Sequence, residues 1–312
     1  MAADGGQQGQ TVSVVGSGNS VTLSTNSVPA GTIHFNVSTT APSGPDGGGS
    51  NIVLFQPKSG KTVADLFAGI QEEFSKDSST AAKGTRDLNA AMTFRGLADV
   101  QAGTPVVVTE SLKPGTYYLV DFAGVQQGGK PAVSTLTVTA GQQTSAQLPS
   151  QVQVRTAGED RFAAPPFWPN KGTYTFTNSS DTLHFMTLQP VKDGTTDADV
   201  KASFEAKDQN GPPAFAKMGP SIGNEVVSPG YSLQMSYDLP AGTYVLLCFV
   251  ADDKTGVPHA VMGMHKVVEL RSGAVPSGGV AAGGGSTSGL QDGGLWAAGA
   301  ALLAAGGRLR SV

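Results

Sequence analysis

At 312 residues the chain is long enough for two domains, and its charged share of 14%, against a usual value of about 25%, excludes a coiled coil or a charged disordered chain. A net charge of −4 leaves no basic footprint for nucleic acid, and a single Cys excludes an internal disulfide framework and any multi-cysteine zinc or iron–sulfur site. With 42 Gly and 19 Pro the chain cannot be mostly helical, because these residues cost most inside helices; a β-rich, turn-rich protein remains.

In chain order, the opening MAADGGQQGQ has neither a basic region nor an apolar run of the kind a secretory signal carries. The segment TVSVVGSGNSVTLS alternates apolar and polar residues around Gly-Ser-Gly-Asn, which predicts a β-hairpin. Strands follow at TIHFNVS, NIVLFQP, TPVVVTES, GTYYLVDF and STLTVTA. Between the second and third of these, Leu66, Phe67, Ile70 and Phe74 recur at helical spacing, predicting one short helix over Val63–Phe74. A second series, TYTFTN, LHFMTLQP, YSLQMSYDL, GTYVLLCFV and HKVVEL, is interrupted by a helical stretch over Asp197–Lys207. A Gly/Ser-rich linker spans 272–294. It is followed by an apolar run and two arginines over 295–312, the order expected of a C-terminal membrane anchor with its basic end in the cytoplasm.

The two series are copies of one pattern. LKPGTYYLVDF (Leu112–Phe122) and LPAGTYVLLCF (Leu239–Phe249) match at an offset of 127, LFQPKSGKTVADL and LQPVKDGTTDADV at 134, and AGTIHF and KGTYTF at 141. Strand cores kept their order while loops changed length, as in a diverged tandem repeat. The repeats occupy 11–141 and 152–271. Each is expected to be a β-sandwich with one short helix as a crossover.

Chemistry concentrates in the second copy. His184 stands just inside a strand, the lone Cys248 closes another, ten residues separate it from His259, and Met264 follows, with Met262 two positions earlier. This set resembles the cupredoxin (type 1 blue-copper) pattern over Val152–Leu270, and the first copy resembles it as fold only. The resemblance implies two tandem cupredoxin-like Greek-key β-sandwiches. It implies one copper ion in the second, held by Cys248 as thiolate, His184 and His259 as imidazoles and Met264 as axial ligand, with His259 as electron port. Met262 competes with Met264 for the axial role, and zinc is the rival metal, since three protein ligands plus water can bind it. Phe185 stands after His184 where the family often has Asn. Carrying the 127 offset onward places Asp121 at the Cys248 position, Ala132 at His259 and Thr137 at Met264, while Ser50 matches His184; the first copy is thereby expected to hold no copper.

No G-x-S-x-G, P-loop or dinucleotide fingerprint is present, and no catalytic residue is assigned. The expected role is therefore non-enzymatic: a cell-envelope protein carrying electrons or holding copper, anchored through its C-terminus, with a redox or copper-exchange protein as partner. The alternative is a metal-free surface β-sandwich that binds or scaffolds. His34 is expected inside a strand, His265 as a solvated edge residue, Asp252-Asp253 as turn charge, and Phe167 and Trp168 packed under the edge of the second sandwich.

Overall fold

The computed structural model describes residues 9–42, 49–127, 131–141, 150–158, 161–206 and 213–273. The proposed anchor over 295–312 and all of the linker beyond 273 lie outside them. The first repeat contributes β1 (Gln10–Gly16), β2 (Val21–Leu23), β3 (Ser27–Pro29), β4 (Gly31–Thr39), β5 (Gly49–Pro57), α1 (Val63–Glu73), α2 (Ser78–Ala91), β6 (Met92–Gln101), β7 (Val106–Leu112), β8 (Gly115–Asp121) and β9 (Val133–Thr139). The second contributes β10 (Val152–Ala157), β11 (Arg161–Ala163), β12 (Phe167–Pro169), β13 (Lys171–Thr177), β14 (His184–Pro190), α3 (Asp197–Glu205), β15 (Ile222–Val227), β16 (Ser232–Asp238), β17 (Gly242–Leu247) and β18 (His265–Arg271). The expected hairpin over TVSVVGSGNSVTLS is the antiparallel β1–β2 pair.

Two sheets run through both repeats. One has the order β11-β10-β13-β16-β7-β4-β1-β2, the other β12-β18-β17-β14-β15-β6-β5-β8-β9-β3. Read from either end, each order passes through equivalent strands, so the repeats meet edge to edge on equivalent strands: β16 on β7 and β15 on β6, both antiparallel. The registers carry the same symmetry. Val107 pairs with Ser236, Val108 with Met235 and Thr109 with Gln234; at the 127 offset the first and last pairings exchange and Val108–Met235 maps onto itself, on the axis. On the other sheet Arg95 opposes Val227 and Val100 opposes Ile222, which exchange under the same offset. An approximate twofold relates the halves, the self-complementary contact found in symmetric dimers.

The core lies between the sheets. Period-2 alternation sends Val12, Val14, Ile33, Phe35 and Val37 inward in the first half. In the second, Trp168 is fully buried; its ring lies 5.9 Å from Tyr174 and 6.2 Å from Tyr237, and its Nε1 donates to the Pro165 carbonyl at 2.8 Å. Phe167 beside it, also expected under the sandwich edge, is instead exposed, because strand alternation turns it outward, and it carries the Arg271 guanidinium 3.5 Å from its ring centroid.

Three helices occur among the described residues, where the sequence predicts one per repeat; the additional one is α2. Its sequence SSTAAKGTRDLNAA lacks an apolar stripe, and it buries small residues instead, Ala81, Ala82, Gly84 and Thr85 with Leu88 and Ala91. Asp77 caps it, accepting from the Thr80 amide at 2.8 Å. Gly84 lets α1 approach: a Cβ there would stand 2.2 Å from the Glu73 amide nitrogen.

The junction gathers carboxyls. Burial, then the neighbouring Glu225 and Asp121, pushes Asp99 up to about 8. Burial raises Glu225 to about 7 although Asn51 donates to it at 3.0 Å, and raises Glu110 to about 7 although Arg95 lies 2.9 Å away. Each folded-state value exceeds the ordinary 3.8 or 4.5, so the native state binds more protons than the unfolded one across that window. Stability measured by urea unfolding should therefore be greatest below about pH 4.5 for this contribution and fall as pH rises to about 8, and Asp99→Asn should flatten the upper part of the profile. Because both sheets cross the junction, the described body should melt in one transition whose calorimetric and van't Hoff enthalpies agree; two resolved transitions would show the halves to be independent.

Candidate metal centre

Strand pairing brings distant residues to one end of the second half. In the antiparallel β14–β17 pair Thr187 opposes Leu247, so His184, which opens β14, and Cys248, which follows β17, lie at the same end. A register shift between His184 and Met186 on the β15 side falls at the ligand position itself, where a bulge re-aims a side chain. The first half keeps its register at the matching place and bulges later, between Leu54 and Phe55.

The loop before His184 is organised by Asn178, which is fully buried. Its Nδ2 donates to the carbonyls of Thr182 and Val227, each at 2.8 Å, and its Oδ1 accepts from Thr156 at 3.1 Å and from the Ser180 hydroxyl at 2.7 Å.

The long Cys-to-His connection resolves into two turns. Between Val250 and His259 it doubles back as a small hairpin, with the His259 amide donating to the Val250 carbonyl at 3.0 Å and Asp252 to Val257 at 2.9 Å. Buried Asp252 closes its tip: its Oδ1 accepts from the Thr255 amide and hydroxyl, both at 2.6 Å, and from the Lys254 amide at 3.2 Å. Beyond it the Ala260 amide donates to the Cys248 carbonyl at 2.7 Å and Met264 to His259 at 2.8 Å. The hairpin takes up the extra length, so ten intervening residues still return His259 to the thiol.

The Cys248 Sγ lies 3.7 Å from His184 Nδ1 and 3.7 Å from His259 Nδ1, and all three residues have 0% exposure. The imidazole centroids are 4.6 Å apart. Among the described residues this is the one group of three His, Cys, Asp or Glu whose donor atoms lie within 4.8 Å of one another. A sulfur and a nitrogen 3.7 Å apart can share one ion at bonds of about 2.3 and 2.0 Å with an angle near 120° at the ion, so the donors fit a metal. Met264 is buried in the same apolar cluster as Cys248 and Met186, whereas Met262 is 37% exposed and its sulfur accepts from the Thr255 hydroxyl at 3.7 Å.

Three expectations change. His259 is no surface port: its side chain is enclosed. His265 is not solvated: its side chain is 8% exposed and its Nδ1 lies 3.3 Å from Asp197, at the start of α3. The extended offset also fails. Gly115 opposes Val138 on β8–β9, and its equivalent Gly242 opposes Leu270 on β17–β18, so β9 and β18 correspond at 132. Thr137 is thus an exposed strand residue, not the Met264 counterpart, and the second ligand loop is five residues longer than the first.

Strand register keeps Ser50 at the His184 position and Asp121 at the Cys248 position. There the buried Asp121 carboxylate accepts from the amides of Gly18 at 2.7 Å, Asn51 at 3.1 Å and Ala123 at 3.2 Å, and Ser50 shares a hydrogen bond with Thr39 at 2.7 Å. Peptide donors satisfy the carboxylate in place of a metal.

No family model and no curated sequence matches the chain. Among solved structures it is similar to reduced auracyanin from Roseiflexus castenholzii, at 24% identity and a TM-score of 0.25 over 38% of this chain and 94% of that one. It is also similar to the blue copper oxidase of Nitrosomonas europaea, at 10% identity and 0.23 over 85% and 86%. A third is the copper-containing nitrite reductase of Thermus scotoductus, at 10% and 0.22 over 84% and 61%. The all-β, cupredoxin-like architecture expected from the sequence is the one observed. Scores this low add nothing about the site, which stands on its own donor atoms. The expectation of a non-enzymatic chain is corrected, since an oxidase and a reductase are among these similar structures. A one-electron centre serves turnover as well as carriage, so missing hydrolase and nucleotide motifs do not bear on it.

From sequence, Asp252 is expected only as turn charge, and neither Asn178 nor α2 is assigned a structural part; the cue available for the two residues is an Asn or Asp heading a Ser/Thr/Lys/Gly turn. Asn178→Ala strips the donor from two buried carbonyls and should cost about 2–4 kcal/mol in urea unfolding, whereas the exposed Lys171→Ala should cost under about 0.5 kcal/mol.

Proposed function

We propose that the protein binds one copper ion in its second half through His184, Cys248 and His259, with Met264 as a weak fourth donor, and uses it to accept and pass on single electrons. The observation that carries this reading is the pair of imidazole nitrogens, each 3.7 Å from the chain's only thiol, in full burial. A thiolate with two imidazoles, followed by a buried methionine whose amide donates to the His259 carbonyl, favours copper over zinc, which takes four firm ligands or keeps a water. Copper supplies two oxidation states one electron apart.

The rest is the work of the chain. Cys248 releases its proton on loading and presents a thiolate. His184 is aimed by the register shift between β14 and β15 and by the Asn178 loop, and His259 by the two-turn connection, so the donors are placed before the ion arrives. Enclosure keeps bulk water from the donors and limits the rearrangement needed between the two charge states. Met264, not Met262, would supply the weak fourth donor, because its side chain is fully buried whereas that of Met262 reaches solvent.

The proposal includes a cell-envelope location with the 295–312 segment as anchor, and exchange of electrons or copper with a protein partner. It is supported by the order of linker, apolar run and arginines in the sequence. No helix among the described residues is long and apolar enough to cross a membrane.

Addition of Cu(II) to the full chain should give one ion per protein and an intense visible thiolate-to-copper band. Cys248→Ser should abolish the band and leave the far-UV spectrum intact. Met264→Leu should keep the band and raise the reduction potential, since a lost thioether weakens the oxidised state more, while Met262→Leu should change neither. A wild-type chain that takes up no copper refutes the reading.

A further inference from the structure

The halves share one scaffold and differ most where each carries an addition: the helix α2 in the first and the five-residue extension of the ligand loop in the second. The two additions meet. Ala251, in the arm of the loop hairpin, turns both backbone groups away from its partner Pro258, because Val250 and Asp252 make the hairpin's own bonds. Its amide donates to Glu73 Oε1 at 3.0 Å, and its carbonyl accepts from the buried Thr85 hydroxyl at 2.8 Å. The next α2 residue, Arg86, donates to the Asp253 carbonyl. Gly256, at a φ of +72°, sits so close to the first turn of α2 that a Cβ would stand 2.0 Å from the Ser78 carbonyl oxygen. At the far end of the helix Asn89 donates to the Asp181 carbonyl at 3.1 Å, three residues before His184. The α1–α2 hairpin thus holds both chain segments that deliver the donors, and its partners there are mostly backbone groups. In the second half the matching connection holds α3, which packs Val200 and Phe204 against Phe215 and Phe249.

We propose that the α1–α2 hairpin of the first half is an intramolecular cap on the metal centre of the second: it seats the extended ligand loop and closes Cys248, His184 and His259 from solvent. This rests on the copper reading only for the identity of the ion, because closure of the thiol is a property of the metal-free chain. Thr85, Arg86, Glu73 and Gly256 are positioning residues, acting through the loop backbone.

Cys248 is the chain's only thiol, so its modification reports opening of the cap directly. The metal-free full chain would be treated with an aromatic disulfide reagent across a low-urea range, as wild type, as Thr85→Val/Arg86→Ala and as Gly256→Ala, each checked for a native far-UV spectrum. Thr85→Val keeps the side-chain shape and removes the hydrogen bond. Gly256→Ala wedges the loop off the helix while leaving every residue of the α1–α2 hairpin unchanged. The cap requires at least a tenfold faster modification in each variant, with the shallow urea dependence of local opening. Equal rates in wild type and variants overturn the cap, and so does an acceleration that appears only with the steep urea dependence of global unfolding. Absence of copper uptake by the wild type, with the thiol rates behaving as stated, refutes the copper reading and leaves the cap standing.

Discussion

Backbone pairing between equivalent strands is the constraint on which the remaining structure depends. A sandwich with an unpaired edge presents a row of amides and carbonyls that must be covered or paired. Here each repeat covers the other's edges, β7 with β16 and β6 with β15, in registers that map onto themselves at a single offset. The pairing fixes the position of one half against the other to within a residue, since a slip by one would turn every inward side chain outward. Only such a fixed relation lets a helix from the first half reach a loop of the second with hydrogen-bond accuracy.

Symmetry of the scaffold makes the asymmetry of the ends informative. At the Cys248 position the first half has Asp121, equally buried and saturated by three backbone amides. Burying a polar group is costly unless it is paired, and the two halves satisfy that requirement differently: peptide donors surround the carboxylate, whereas imidazoles face the thiol. The scaffold tolerates either occupant, so architecture alone does not specify a metal; the donor residues and their aim do.

The closed setting of His259 changes the picture of electron passage. An imidazole at the surface would offer a direct contact for a partner, but here all three donors are enclosed, and residues of the first half bear on the loop that carries His259. Under the copper reading, contact with a partner or a second redox group would run through the loop or its helical support, and the first half would be part of the site's surroundings rather than a spacer.

Much of this was legible in the sequence. Alternation fixed the hairpin β1–β2 and most long strands, the repeated Leu-Pro-Gly-Thr-Tyr segments revealed the duplication, and His184, Cys248 and His259 were identified from their places in the pattern. Less was visible where residues take their roles from neighbours. Strands β6 and β15 carry Arg95, Gly96, Asp99, Asn224 and Glu225 and show no clean alternation, because they pair with each other at the junction. Helix α2 has no apolar stripe because it packs through alanine, glycine and threonine against another helix and a loop. Sequence by itself determined the fold class, the repeat and the donor types, since periodicity and residue chemistry are local properties. Tertiary structure alone decided the shared sheets, the length of the ligand loop, the enclosure of His259 and the meeting of the two additions, since these depend on register and contact between residues far apart in the chain.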